Sequence, residues 1–184
     1  MKAMKWLLRK PMTKISQPKI NQILSLIKKS ESIEEQQYAL KWLMTNVLEK
    51  IPGLSVTEKN GLKKSRKNEI KIVCWNEQHP DGLYFFPSIL AVGAINWLDP
   101  VSSNHIKWFV GNMKKMGLSC GILFAVGKLT EDEVERSDTR DLISLALGDE
   151  RKVVILDGSD LEKLNSSERL VALIKEKLCE LAVA

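Results

Sequence analysis

The stretch from Ile89 to Val126 constrains the fold of this chain more than any other, because it spells one strand, one helix and a second strand in succession. Ile89 to Ile95 is an unbroken apolar run, and Asn96-Trp97-Leu98-Asp99-Pro100 supplies the turn residues that end it. Ser102 and Ser103 offer a helix N-cap, and Ile106, Phe109, Val110 and Met113 recur at helical spacing on one face. Gly117 stops that helix. Leu118 to Val126 is a second apolar run, short and accompanied by glycines, which reads as a strand. A connection of this length predicts a parallel strand pair with a right-handed crossover.

The flanking sequence reads as support for this unit. Residues 1–17 form a basic arm whose Trp6, Leu7 and Leu8 could dock on the domain, and Pro18 opens a helix with Ile20, Ile23, Leu24 and Ile27 on its apolar face. Ser30 is read as the cap of a second helix that runs to Pro52-Gly53, with Trp42 counted among its core residues. Leu54–Thr57 and Glu69–Asn76 are expected strands, joined by a basic loop. A turn over Gln78–Gly82 then leads through a further extended stretch, Leu83–Phe86, into the central strand. Downstream, Asp138 or Thr139 caps a helix closed at Gly148, residues 152–158 form the last strand, and Ser159-Asp160 opens a short helical turn. Ser166 or Ser167 caps the final helix, Leu170 to Leu181. No linker or repeat divides residues 18–184, so one domain is expected, with 18–53 packed on it as N-terminal helices.

Composition narrows the class. With 184 residues, 44% hydrophobic and 28% charged, the chain is an ordinary globular domain, and no apolar run approaches the roughly 20 residues that span a bilayer. Its N-terminus lacks the continuous apolar segment of a secretory signal. The three cysteines, Cys74, Cys120 and Cys179, are far apart and form no zinc-ligand spacing; Cys74 and Cys120 fall within expected strands as small apolar residues, which fits a reducing cytoplasm. The net charge of +5 is unevenly spread: residues 1–30 carry eight basic groups and no acid, whereas 131–150 carry eight acids against Arg136 and Arg140. Such a dipolar molecule can orient a polyanion or a protein partner.

Three segments resemble one family. They are Ile89 to Lys128, with Asn96-Trp97 after the strand and a Gly121-Ile122-Leu123 strand after the helix; Asn68 to Val73; and Val154 to Leu161, with its Asp157-Gly158-Ser159-Asp160-Leu161 turn. Together, over about residues 50 to 164, they resemble the PD-(D/E)XK nuclease superfamily in its restriction-endonuclease-like, Mrr-type branch. The resemblance implies a three-layer α/β/α sandwich with a mixed central sheet. It also implies a phosphodiesterase site in which an Asp and a Glu on neighbouring strands hold a divalent metal, usually magnesium, with a Lys two residues beyond the Glu. Carried over residue by residue, the Asp position is Lys71, the Glu position is Gly93 and the Lys position is Ile95. An ammonium, no side chain and a hydrocarbon replace the ligands that a hard cation requires. Hydrolysis at that site is therefore expected to be absent, with no cofactor.

The expected function is that of a nuclease-like protein without nuclease chemistry, kept as a nucleic-acid-binding or assembly module. DNA or RNA is the default ligand, with Lys59, Lys63, Lys64, Arg66, Lys67 and Lys71 as phosphate contacts. Two alternatives stand beside it. One is an atypical magnesium-dependent endonuclease whose site has migrated, with Glu69 as the salvage carboxylate. The other is a protein–protein interaction module, including a homodimer. Trp75 and Trp97 could stack on bases, although burial beneath the sheet is the commoner use. His79 and His105 lack partners at ligand spacing and read as loop or capping residues.

Overall fold

The computed structural model describes residues 14–57, 69–95, 102–126 and 133–183, with the backbone alone described at 69–71, 133, 135, 136 and 183. Two helices lead, α1 (Gln17–Lys29) and α2 (Ile33–Leu48), followed by strands β1 (Leu54–Thr57), β2 (Glu69–Asn76) and β3 (Ile89–Ile95). The crossover unit continues with α3 (Ser103–Lys115) and β4 (Cys120–Ala125). The chain then runs through α4 (Glu133–Gly148), β5 (Lys152–Leu156), α5 (Gly158–Glu162) and α6 (Ser167–Val183). The strands form one five-stranded mixed sheet in sequence order, β1-β2-β3-β4-β5, with β1–β2 and β2–β3 antiparallel and β3–β4 and β4–β5 parallel.

Alternation along β3 explains why helices flank both faces of the sheet. Leu90, Val92 and Ala94 join the larger core with Ile72 and Cys74 of β2, the buried sides of α1 and α2, and Leu170 and Ile174 of α6. Ala91 and Ile95 point the other way, into a second core with Ile106, Phe109 and Met113 of α3 and Ile143 of α4. Because β3 is buried on both sides, its sequence shows a continuous apolar run rather than an alternating one.

Local chemistry sets the helix ends. Pro18 occupies the first turn of α1, and Lys28 and Lys29 sit in its last turn against the negative end of the helix dipole. The Ser102 N–H donates to His105 Nδ1 at 3.0 Å and closes the start of α3. Gly117, at φ +67°, ends α3 in a Schellman turn whose Leu118 N–H reaches the Met113 carbonyl at 3.0 Å. The Ser166 hydroxyl accepts from the Arg169 N–H at 3.1 Å and caps α6. Upstream, Ile15 is buried and its N–H donates to the Asn165 carbonyl at 3.1 Å, so the end of the basic arm is tied to the start of α6.

Several expectations are corrected. α2 is capped by Ser32, whose hydroxyl accepts from the Glu35 N–H, while Ser30 is the C-cap of α1. α4 begins at Glu133, and Thr139 is a buried residue within it rather than its cap. Leu83–Phe86 is a series of turns rather than a strand. The cause is Asn76, fully buried at the end of β2, whose amide donates to the carbonyls of Leu83, Phe86 and Pro87 at 2.8, 3.2 and 3.1 Å. Those carbonyls are satisfied by side chains, that of Phe86 also by the Gln78 amide at 2.8 Å, instead of by a neighbouring strand.

Candidate functional site

The register of β2 against β3 brings together the positions that the resemblance singles out. Lys71 pairs with Gly93, and Glu69 pairs with Ile95, so the four are neighbours on one face of the sheet, the face that α3 covers along β3 and β4. The side chains of Glu69 and Lys71 lie outside the described residues, as do Asn96, Trp97 and the basic loop with Lys59, Lys63, Lys64, Arg66 and Lys67. That segment lies between β1, which ends at Thr57, and β2, which begins at Glu69.

At Gly93 the geometry is decisive. A Cβ there would lie 2.7 and 2.8 Å from Cε2 and Cδ2 of Phe109 and 3.1 Å from Leu123 Cδ1. On the adjacent strand, a Cβ at Gly121 would lie 2.7 Å from Met113 Sδ and 2.8 Å from the same Phe109 ring. The two glycines are diagonal neighbours, since Ala91 pairs with Gly121 and Gly93 with Leu123. They form a trough in which Phe109, 1% exposed, lies directly on the sheet backbone. Ile95 closes the same cluster. Burying such a ring stabilises the fold by roughly 2 kcal/mol, and close packing leaves its place closed to a carboxylate. Where metal chemistry would need oxygen ligands, this position is filled by hydrocarbon.

Sequence reasoning placed Phe109 on the buried face of α3 but missed its contact with the two glycines. A signal existed: two glycines inside neighbouring buried strands mark a close approach by something bulky.

The two histidines make local hydrogen bonds. His105 caps α3, and because its Nδ1 accepts from the Ser102 N–H, the proton of its neutral ring sits on Nε2. His79 Nδ1 accepts from the Asp81 N–H at 3.1 Å, within the turn after β2. Its Cβ lies against Gly53, where φ is +76° and a side chain would approach to 2.7 Å. Among the described residues, no group of three His, Cys, Asp or Glu side chains could hold a metal ion. Burial, reinforced by the charge of Glu49, pushes the Cys74 thiol up to about 12. Burial also raises Cys120, and both thiols are buried as expected for apolar strand residues. Neither is a nucleophile near neutral pH.

Trp75 departs from the expectation of burial. It is 48% exposed, and its cross-strand partner Ile89 is exposed as well. The reason is the reach of α3, which packs on β3 and β4 and leaves Ser55, Thr57 and Trp75, on the outward half of the same face, open. Trp42 is half-buried and carries the Lys19 ammonium 4.9 Å above its ring, so it also is not a core residue. Among the described residues, no helix is long and apolar enough to cross a membrane.

No family model matches the chain, and no curated protein matches it at a significant level.

Proposed function

We propose that this chain is a catalytically degenerate relative of the PD-(D/E)XK nucleases, in their restriction-endonuclease-like, Mrr-type branch, that binds nucleic acid in the cytoplasm without cleaving it. The mixed sheet with helices on both faces supports that finer reading of the fold. One observation carries the loss of chemistry: the Phe109 ring packs on Gly93, where the resemblance expects a metal-binding Glu. Two features support retained binding. Trp75 offers an open aromatic surface on an uncovered sheet face, and a base stacked on such a ring contributes about 1–3 kcal/mol. The segment between β1 and β2 supplies Lys59, Lys63, Lys64, Arg66 and Lys67, followed by Lys71 on β2, as cations for phosphates. Free thiols at Cys74, Cys120 and Cys179 support a reducing compartment.

Fluorescence anisotropy with labelled single-stranded DNA, duplex DNA and single-stranded RNA tests this reading. Trp75→Ala is expected to weaken single-strand binding by roughly 5- to 150-fold, from the stacking range above. Charge reversal at Lys63, Lys64, Arg66 and Lys67 is expected to abolish binding at moderate salt. Binding untouched by the reversal, or absent at low salt, refutes the proposal. Incubation of plasmid, single-stranded DNA and RNA with magnesium or manganese is expected to give no cleavage. Cleavage that disappears in Glu69→Ala would replace this reading with the migrated-site endonuclease.

A further inference from the structure

The pair formed by α1 and α2 carries a surface that the nucleic-acid reading does not use. Between the two helices lies an open groove of about 580 Å³, with Ile23, Leu26, Tyr38 and Trp42 as its apolar lining and Lys19 and Lys29 towards its ends. Tyr38 is 75% exposed. None of the described residues lining the groove is acidic, because α1 contains no Asp or Glu and the acids Glu34 and Glu35 of α2 belong to its first turn, outside the lining. An apolar channel bracketed by ammonium groups fits an amphipathic helix whose apolar residues alternate with carboxylates.

The chain itself displays such a helix. On α4, Val134 is 71% exposed and Leu145 is 68% exposed. They stand eleven residues apart, three turns of helix, and therefore on one stripe, with the exposed Asp138 and Asp141 between them. The opposite side of α4 holds Thr139, Ile143 and Ala146, buried against the body of the protein, so the Val134–Leu145 stripe faces outward. The wider charge distribution agrees, with eight basic groups and no acid in residues 1–30, and eight acids against two arginines in 131–150.

We infer that the groove between α1 and α2 receives the outward face of α4 from a second copy of this chain. Leu145 enters between Leu26, Tyr38 and Trp42, while Asp141, one helical turn away from it, meets one of the two lysines that bracket the groove. Groove and ligand are different surfaces of one molecule, so the contact is heterologous and each copy keeps one of each free. Association then proceeds head to tail, into a ring or an open row. The charges speed encounter and make association weaker at high salt.

Sedimentation velocity on the full chain, from micromolar to millimolar concentration and at low and high salt, tests the inference. The wild type is expected to rise with concentration above its monomer mass of 20.8 kDa, less so at high salt. Leu26→Glu blocks the groove and Leu145→Lys blocks the helix; both positions are exposed, and each variant alone is expected to remain monomeric. An equal mixture is expected to give a two-chain particle and nothing larger, because one good groove meets one good helix. That dimer also demonstrates that both variants are folded. A wild type that stays monomeric, variants that assemble like the wild type, or a mixture that stays monomeric overturns the inference. So does an unrelated acidic amphipathic peptide that fills the groove while the chain itself never associates.

Discussion

Gly93 has no side chain because Phe109 already occupies the space, and the consequence can be measured. Gly93→Ala places a methyl 2.7 Å from the ring, so the core is overpacked and stability is expected to fall by about 1–3 kcal/mol in urea titrations. Combining it with Phe109→Leu is expected to cost less than the sum of the two single changes, because both act on one contact. A sum that is strictly additive would show that the ring and the glycine are independent. Cys74 makes a second residue-level prediction. Its folded pKa of about 12 lies above the ordinary 9.0, so the folded state holds the thiol proton more tightly than the unfolded chain does. That contribution to stability is complete below pH 9 and is lost as pH rises towards 12. The wild type is therefore expected to lose stability more steeply over that window than Cys74→Ala. In native protein at pH 8, a thiol reagent is expected to modify Cys179 quickly and the buried pair only on unfolding.

At the scale of elements, the end of α4 tests the link between backbone and sequence. Gly148 is the last helical residue, but the left-handed position falls two residues later, on Glu150 at φ +59°. There the Glu150 N–H donates to the Leu147 carbonyl at 2.9 Å and the Arg151 N–H donates to the Ala146 carbonyl at 2.7 Å. Glu150→Gly relieves the left-handed strain and is expected to raise stability by about 1 kcal/mol, read as an upward shift in Tm. The pattern around Gly148 therefore located the end of the helix without locating the residue that bends. The same limit recurs elsewhere. β3, α3 and β4 were legible because period and length agree there, whereas Leu83–Phe86 has strand composition and is turned by Asn76, a single buried amide whose reach no periodicity reports. The exposure of Trp75 was equally hidden, since it depends on how far α3 extends across the sheet and not on any property of β2.

Across the whole molecule, opposite charges are gathered at different places in the chain, and the proposed ligand would register both charge and stacking. If phosphates are met by the loop cations and bases by Trp75, the two contributions separate in a salt titration. Reversing the loop charges is expected to flatten the dependence of log K on log salt by about 0.7 per lost contact with single strands, while Trp75→Ala lowers K without altering the slope. Equal slopes for all proteins would remove the loop from the interface. The carboxylate positions of the candidate site could be compared in sequence, by reading Lys71, Gly93 and Ile95, but their filling could not, because it depends on a ring carried by a helix sixteen residues downstream of Gly93. That ring and the glycine beneath it are mutually dependent. An acid introduced at 93 alone meets an occupied core, and removal of Phe109 alone leaves a hollow, so each step towards a carboxylate at this position begins with a less stable protein. Single substitutions at either position would therefore be selected against for stability alone, whatever the chain's surfaces do.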